Sequence, residues 1–312
     1  MKYVFVLYVN RSGSTFLASQ LSKSPEILVC PEAEVLVNML VKKAKDPFNN
    51  KEANMLCCAI KKDRKLKLWG LDIKYEDIVK EKRLNIFLNI LENYRSQTKP
   101  NSQVIVFKAV DLINYIEILQ DYGVEEGLDF YFISILRDPR AVFNSQSTTY
   151  VESKKQIMNR NPLFTVNQWK NFVSKTFDQT SPGKFHALKY ENLLNSLDEE
   201  ISKIFMLIGL NRSDISERHK ADLRVRIPDD QLLMHPNIGD PPIPSKADNW
   251  KGQLDTSIQG FITRLTIKYL ERLGYDLISG KEDNFIHYCF LWIKFKTILA
   301  VKEIYRKIRR YL

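Results

Sequence analysis

Arg11, Gly13 and the hydroxyls of Ser12, Ser14 and Thr15 stand together in "YVNRSGSTFLASQ" (8–20), directly after an apolar run. A glycine among small hydroxyl residues lets backbone amides approach an anion closely, and an arginine adds fixed positive charge. The run before them, Tyr3 to Val9, reads as a buried strand. Phe16, Leu17 and Leu21 then recur at helical spacing, with Ser12, Ser14 or Thr15 placed to cap the first amides. A strand-to-helix turn of this kind opens at the carboxyl edge of an α/β sheet, where the helix dipole and unpaired amides receive anions. The same residues also fit an ordinary capped turn.

The kind of anion depends on what the turn lacks. A nucleotide triphosphatase needs GxxxxGK followed by Ser or Thr, with the lysine on the terminal phosphates and the hydroxyl on magnesium. No lysine follows Gly13 here, and Arg11 precedes it. The turn therefore suits a P-loop relative that binds its anion without a metal. The histidines and cysteines show no metal-ligand spacing, so no metal site is expected.

A second stretch, "FYFISILRDPRAVFNSQS" (130–147), has the same logic. A buried strand ends at Leu136, Arg137 follows, Pro139 suits the first turn of a helix, and Ser145 lies about two turns along it. Both Arg137 and Ser145 can reach one anion, and the planar guanidinium suits phosphate. Arg137 can equally pair with Asp138, leaving Ser145 solvated. Lys108, closing the apolar run "QVIVFKAV" (103–110), is a third cation at a strand end.

The elements that must position these residues alternate. Short or buried strands are expected at 26–30, 103–110, 129–136 and 184–190, and an extended segment at 67–75. Helices are expected at 33–45, 51–62, 76–94, 111–121, 139–147, 162–178, 197–208 and 257–273. The fold class is α/β, a P-loop-like parallel sheet flanked by helices, with a helical C-terminal extension. Residues 227–249 hold five prolines without periodicity and read as a lid or wall of a site.

At 312 residues and 44% hydrophobic content the chain can bury a sizeable core. Four cysteines without a framework fit reduced thiols in the cytoplasm. The net charge of +10 points to acidic partners, and residues 285–312 carry seven Lys or Arg against one acid, Glu303. A non-enzymatic polyanion-binding protein would use that charge too, and a P-loop nucleotide kinase would use Asp138 for magnesium.

Taken together, the two stretches resemble the sulfotransferases that use 3′-phosphoadenosine 5′-phosphosulfate (PAPS). "NRSGST" resembles the element that holds the 5′-phosphosulfate, and Arg137 with Ser145, eight residues apart, the pair that holds the 3′-phosphate. "LKYENLL" (188–194), with Tyr190, is similar to the segment lining the adenine. "DNWKGQL" (248–254), with Trp250 and Lys251, is similar to a segment near the 3′-phosphate. The likeness runs over residues 1 to about 275 and is closest in pattern to the Golgi carbohydrate and tyrosyl-protein branches. It implies PAPS as co-substrate, its bisphosphate PAP as product, and no metal.

The resemblance also implies roles. Arg11, the turn amides and Lys108 would neutralise charge on the departing phosphate. The histidine base of the cytosolic members would fall at Val110, so the chain departs from that pattern. Golgi and tyrosyl-protein members carry a glutamate 21 residues after the arginine, which here is Glu32, with Glu34 as the fallback. The Golgi-like pattern implies a saccharide or glycolipid hydroxyl as acceptor, the tyrosyl-protein likeness around Glu32 leaves a phenol or peptide open, and no nucleic acid partner is expected. The division implied is a sulfotransferase domain over 1–280 and a basic extension over 281–312. That extension, apolar and then amphipathic, is expected either to lie on an anionic membrane or to pack as a terminal helix. A cytoplasmic enzyme, peripheral at the inner face of a membrane, is the corresponding localisation.

Overall fold

The computed structural model describes all residues except 46–48, 72, 79–80, 178–182, 212–240, 278–284 and 312. Most of the proline-rich segment 227–249 therefore lies outside the described residues. In chain order the elements are β1 (Lys2–Tyr8), α1 (Ser14–Leu21), β2 (Ile27–Val29), α2 (Glu34–Leu36), α3 (Asn50–Lys62), α4 (Arg83–Thr98), β3 (Val104–Lys108), α5 (Ile116–Glu125) and β4 (Asp129–Leu136). They continue with α6 (Pro139–Thr148), β5 (Tyr150–Val151), β6 (Gln156–Ile157), α7 (Pro162–Phe177), β7 (Phe185–Lys189), α8 (Tyr190–Asn195) and α9 (Leu197–Leu207). The last are α10 (Trp250–Gln253), α11 (Thr256–Leu273) and α12 (Phe285–Tyr311).

The chain forms two compact units. The first comprises Met1–Tyr8, Gly13–Ile135 and Gln179–Pro242; the second comprises Val9–Ser12, Leu136–Asp178 and Ile243–Leu312. The first unit is built on a five-stranded parallel sheet of order β2-β3-β1-β4-β7. β1 is central because both of its faces are apolar. Val4, Val6 and Tyr8 pack with Leu17 and Leu21 of α1 and with Ile201, Ile204 and Phe205 of α9. Phe5, one residue out of phase, meets Phe87, Phe130 and Phe132 on the opposite face. Full burial of each such side chain stabilises the fold by about 1.5–3 kcal/mol. The register sets Val6 beside Lys108 and Tyr8 beside Ile135, while Val29 of β2 pairs with Val106. The carboxyl ends of β2, β3 and β1 thus lie side by side.

The segment expected to be extended at 67–75 is not a strand. Leu66–Trp69 is a 3-10 turn closed by Gly70 at φ 62°. Trp69 is drawn inward, its ring 4.7 Å from Tyr94, and burying that one large ring outweighs alternation along the backbone. The helix expected from residue 76 begins at Arg83, after a 3-10 turn at Tyr75–Asp77. The one expected at 33–45 is a single α turn continued as a π-helix over Val37–Val41.

In the second unit α6, α7 and α11 share an apolar centre of Phe143, Val166 and Ile262. α12 adds Leu291 and Phe295 to Leu163 and Phe261. Among the described residues, no helix is long and apolar enough to cross a membrane.

Candidate active site

Within the first unit, Glu32 follows β2 by three residues and its carboxylate is enclosed by donors from neighbouring strand ends. The Tyr8 hydroxyl donates to Oε1 at 2.6 Å, Lys108 Nζ donates to the same oxygen, and Lys65 Nζ donates to Oε2 at 3.0 Å. Burial alone would raise the pKa of Glu32, but the two ammonium charges and these hydrogen bonds outweigh it and hold the carboxyl well below the usual range. Tyr8 moves the other way: burial and the adjacent carboxylate push its phenol well above the ordinary value. Glu34, the fallback, is the more exposed acid and meets Lys65 at 2.9 Å. This arrangement keeps the carboxylate ionised and oriented at the carboxyl edge of the sheet.

Gly13 opens α1 as its N-cap at φ 92°, and no side-chain hydrogen bond caps this end. The caps expected from Ser12, Ser14 or Thr15 are therefore not made. The reason for glycine is doubled here: the backbone is left-handed, and an added Cβ would stand 2.2 Å from Cδ2 of Tyr190. Tyr190, at the start of α8, thus packs its ring directly on the turn.

In the second unit the structure brings Arg11, Arg137 and Ser145 together. Arg11 Nε donates to Ser145 Oγ at 3.0 Å, and Arg137 Nη1 donates to the Arg11 carbonyl at 2.7 Å. Arg11 holds φ at 76°, a region costing a non-glycine residue about 1–3 kcal/mol, which functional sites tend to accumulate. Neighbouring bonds sustain it, with Gln146 Nε2 donating to the Asn10 carbonyl at 3.0 Å and the Ser12 amide to the Val9 carbonyl at 3.0 Å. Trp169 Nε1 fixes the Arg137 carbonyl at 2.8 Å. Two guanidinium groups and a hydroxyl, from the turn after β1, the end of β4 and α6, make a donor set that fits a phosphate dianion.

The Asp138 carboxylate, offered by the sequence as a partner for Arg137, caps α6 and clamps the buried Arg140, with Oδ2 2.6 Å from Nη2. The Arg140 guanidinium lies 4.2 Å from the centre of the Trp250 ring. Trp250 is itself buried, and Lys251 pairs with Asp248 at 2.9 Å and Asp276 at 3.4 Å. Of these two predicted residues, Trp250 is packed and Lys251 is exposed.

Tyr8 and Lys65 were not singled out by sequence. For Tyr8 a signal existed: it shares a strand face with Val4 and Val6 yet ends in a hydroxyl at the carboxyl edge. Lys65 lies in "KKDRKLK" (61–67), where nothing in spacing separates it from its basic neighbours.

No protein-family model matches the chain. An uncharacterized protein of Acidianus two-tailed virus, ORF137, is 29% identical over 82 residues, 25% of this chain; the chain spans 59% of that relative's length. Two solved structures are similar throughout. A sulfotransferase domain from the Synechococcus PCC 7002 olefin synthase aligns with TM-score 0.60 and 18% identity over 89% of this chain and 96% of that one. One from the curacin biosynthetic pathway aligns with TM-score 0.54 and 18% identity over 89% and 99%. With its parallel sheet, glycine turn and flanking helices, the chain has the sulfotransferase fold.

Proposed function

We propose that the protein is a PAPS-dependent sulfotransferase that moves the sulfuryl group to an acceptor hydroxyl, on a saccharide or glycolipid, without a metal. The observation that carries this reading is the ionised Glu32 held by Tyr8, Lys108 and Lys65 at the carboxyl edge of a sheet whose first strand leads into a glycine turn. The fold shared with two domains named as sulfotransferases supports it.

In this reading Arg11, Ser12, Gly13, Ser14 and Thr15 receive the phosphosulfate, and Arg137 with Ser145 the 3′-phosphate. The acceptor oxygen forms a bond to sulfur as the bond from sulfur to the 5′-phosphate oxygen breaks, and PAP leaves. Glu32 takes the hydroxyl proton, and Lys108 neutralises charge on the departing phosphate. Such a transfer needs positioning and cationic stabilisation more than covalent help, by analogy with phosphoryl transfer. Tyr190 lines the adenine, and Trp250 with Lys251 lies near the 3′-phosphate. None of the four cysteines forms a disulfide, which fits a cytoplasmic setting.

Calorimetric titration with adenosine 3′,5′-bisphosphate in the absence of magnesium, with ADP as control, tests the nucleotide; labelled transfer from PAPS to saccharide and glycolipid panels tests the acceptor. Tight bisphosphate binding and weak ADP binding support the reading. Equal binding, or magnesium-dependent ATP turnover, replaces it with a kinase-like one.

A further inference from the structure

α12 is apolar on two opposite faces, and only one of them is packed. Leu291 and Phe295 are each 6% exposed, joined by Tyr288 and Leu299 against Leu163 and Phe261. Asn161 Nδ2 donates to the Phe295 carbonyl at 2.9 Å, and the Arg264 guanidinium lies 4.5 Å from the centre of the Tyr288 ring. These contacts tie the first half of the helix to α7 and α11.

Residues two apart on a helix are about 200° apart around its axis. Ile293 therefore lies opposite Leu291 and begins to define a second stripe. Ile286, Phe290, Ile293, Val301, Ile304 and Ile308 follow one another three, four or eight residues apart, and all are exposed, Ile286 by 78% and Ile304 by 58%. Thr297, in the eight-residue interval, returns its hydroxyl to the Ile293 carbonyl at 2.9 Å, so it adds little polarity to the stripe. The packed face ends early: after Leu299 the same face carries Lys302 and Arg306. The open face stays apolar to Ile308. A helix needed only for packing against its own core has no physical reason to keep that face apolar.

Charge identifies the occupant. Lys294 borders the stripe on one side, Lys296 and Lys307 on the other, and Glu303 is the one acid in 285–312. Symmetric pairing of two copies along this stripe would set lysine against lysine, whereas an anionic lipid surface neutralises both borders. We infer that α12 docks the protein on an anionic bilayer, its open stripe lying in the interface plane while its packed face holds the rest of the second unit. This inference is independent of the chemistry at Glu32. The helix lies on the bilayer rather than spanning it, given that it is not apolar enough to cross.

Flotation of the full chain with phosphatidylcholine vesicles, with and without about one third phosphatidylserine, tests it at about 0.15 M salt, where screening is physiological. The expected result is recovery with the anionic vesicles only. The triple substitution Ile293→Ser, Ile304→Ser, Ile308→Ser should lower recovery at least about tenfold with an unchanged thermal midpoint. Replacing Lys294, Lys296 and Lys307 by Gln should remove the preference for anionic lipid. Three results overturn the inference: no flotation of the parent chain, flotation of the triple variant equal to the parent, or a concentration-dependent dimer in sedimentation that the triple substitution abolishes.

Discussion

Lys65 Nζ stands 3.0 Å from Glu32 Oε2 and 2.9 Å from Glu34 Oε1, so one ammonium bridges two carboxylates two residues apart in the chain. Burial would lower the pKa of Lys65, but the two carboxylates outweigh it and raise it. Lys65 is therefore placed to hold the Glu32 carboxylate in position.

Lys65→Met removes one of the two charges that hold the Glu32 carboxyl down. Its pKa should climb towards the ordinary value of about 4.3. The acid limb of the kcat/KM profile for sulfuryl transfer should then move to higher pH, with bisphosphate affinity unchanged. An acid limb that stays in place would show that Lys65 does not govern the base.

Glu32→Gln keeps the shape but cannot take a proton, and should lower kcat by about 10²–10⁴ while leaving bisphosphate binding intact. The substitution also leaves the buried Lys108 without its anion, costing stability. Because the folded-state pKa of Glu32 is depressed, its stabilisation is fully present above the unfolded value of about 4.3 and is lost as pH falls through the lower folded value. The stability gap between parent and variant, measured by denaturant unfolding, should therefore close on acidification below about pH 4.3.

Gly13→Ala meets both a left-handed backbone and the Tyr190 ring. The backbone component alone is about 1–2 kcal/mol, and the ring contact adds to it. Pairing it with Tyr190→Ala should recover the steric part and leave the backbone part, a coupling that a double-mutant cycle of thermal midpoints reads directly. Strict additivity would mean the ring moves aside without cost.

Arg137→Ala and Ser145→Ala should each weaken the 3′-phosphate contact. For a charge-assisted bond of about 1.5–3 kcal/mol the arginine variant should lose about ten- to a hundredfold in affinity for the 3′,5′-bisphosphate. Its affinity for adenosine 5′-monophosphate should barely change. Equal loss for both nucleotides would place Arg137 elsewhere on the ligand.

Arg140→Met breaks the buried pair with Asp138 and removes the cation from the Trp250 ring. Removing one partner of a buried ion pair costs about 3–5 kcal/mol, so the loss should appear in stability, with the turnover of the folded fraction largely kept.

Local periodicity was enough for the strands at 27–29, 104–108, 129–136 and 185–189, because each is a short apolar run flanked by helical patterns and buried in a parallel sheet. The glycine turn and the spacing of Arg137 and Ser145 were equally legible, being properties of consecutive residues. The partners of Glu32 were not. Tyr8, Lys65 and Lys108 come from β1, a loop and β3, and only the strand order β2-β3-β1 with its register sets Lys108 and Tyr8 beside that carboxylate. Trp69 likewise turned an expected strand into a 3-10 turn, since the cavity it fills is made by Tyr94 and Phe107 from distant segments. The sequence by itself determined which residues can do chemistry; the tertiary structure decided which charges meet, because an ion pair depends on distance in space and its strength on burial.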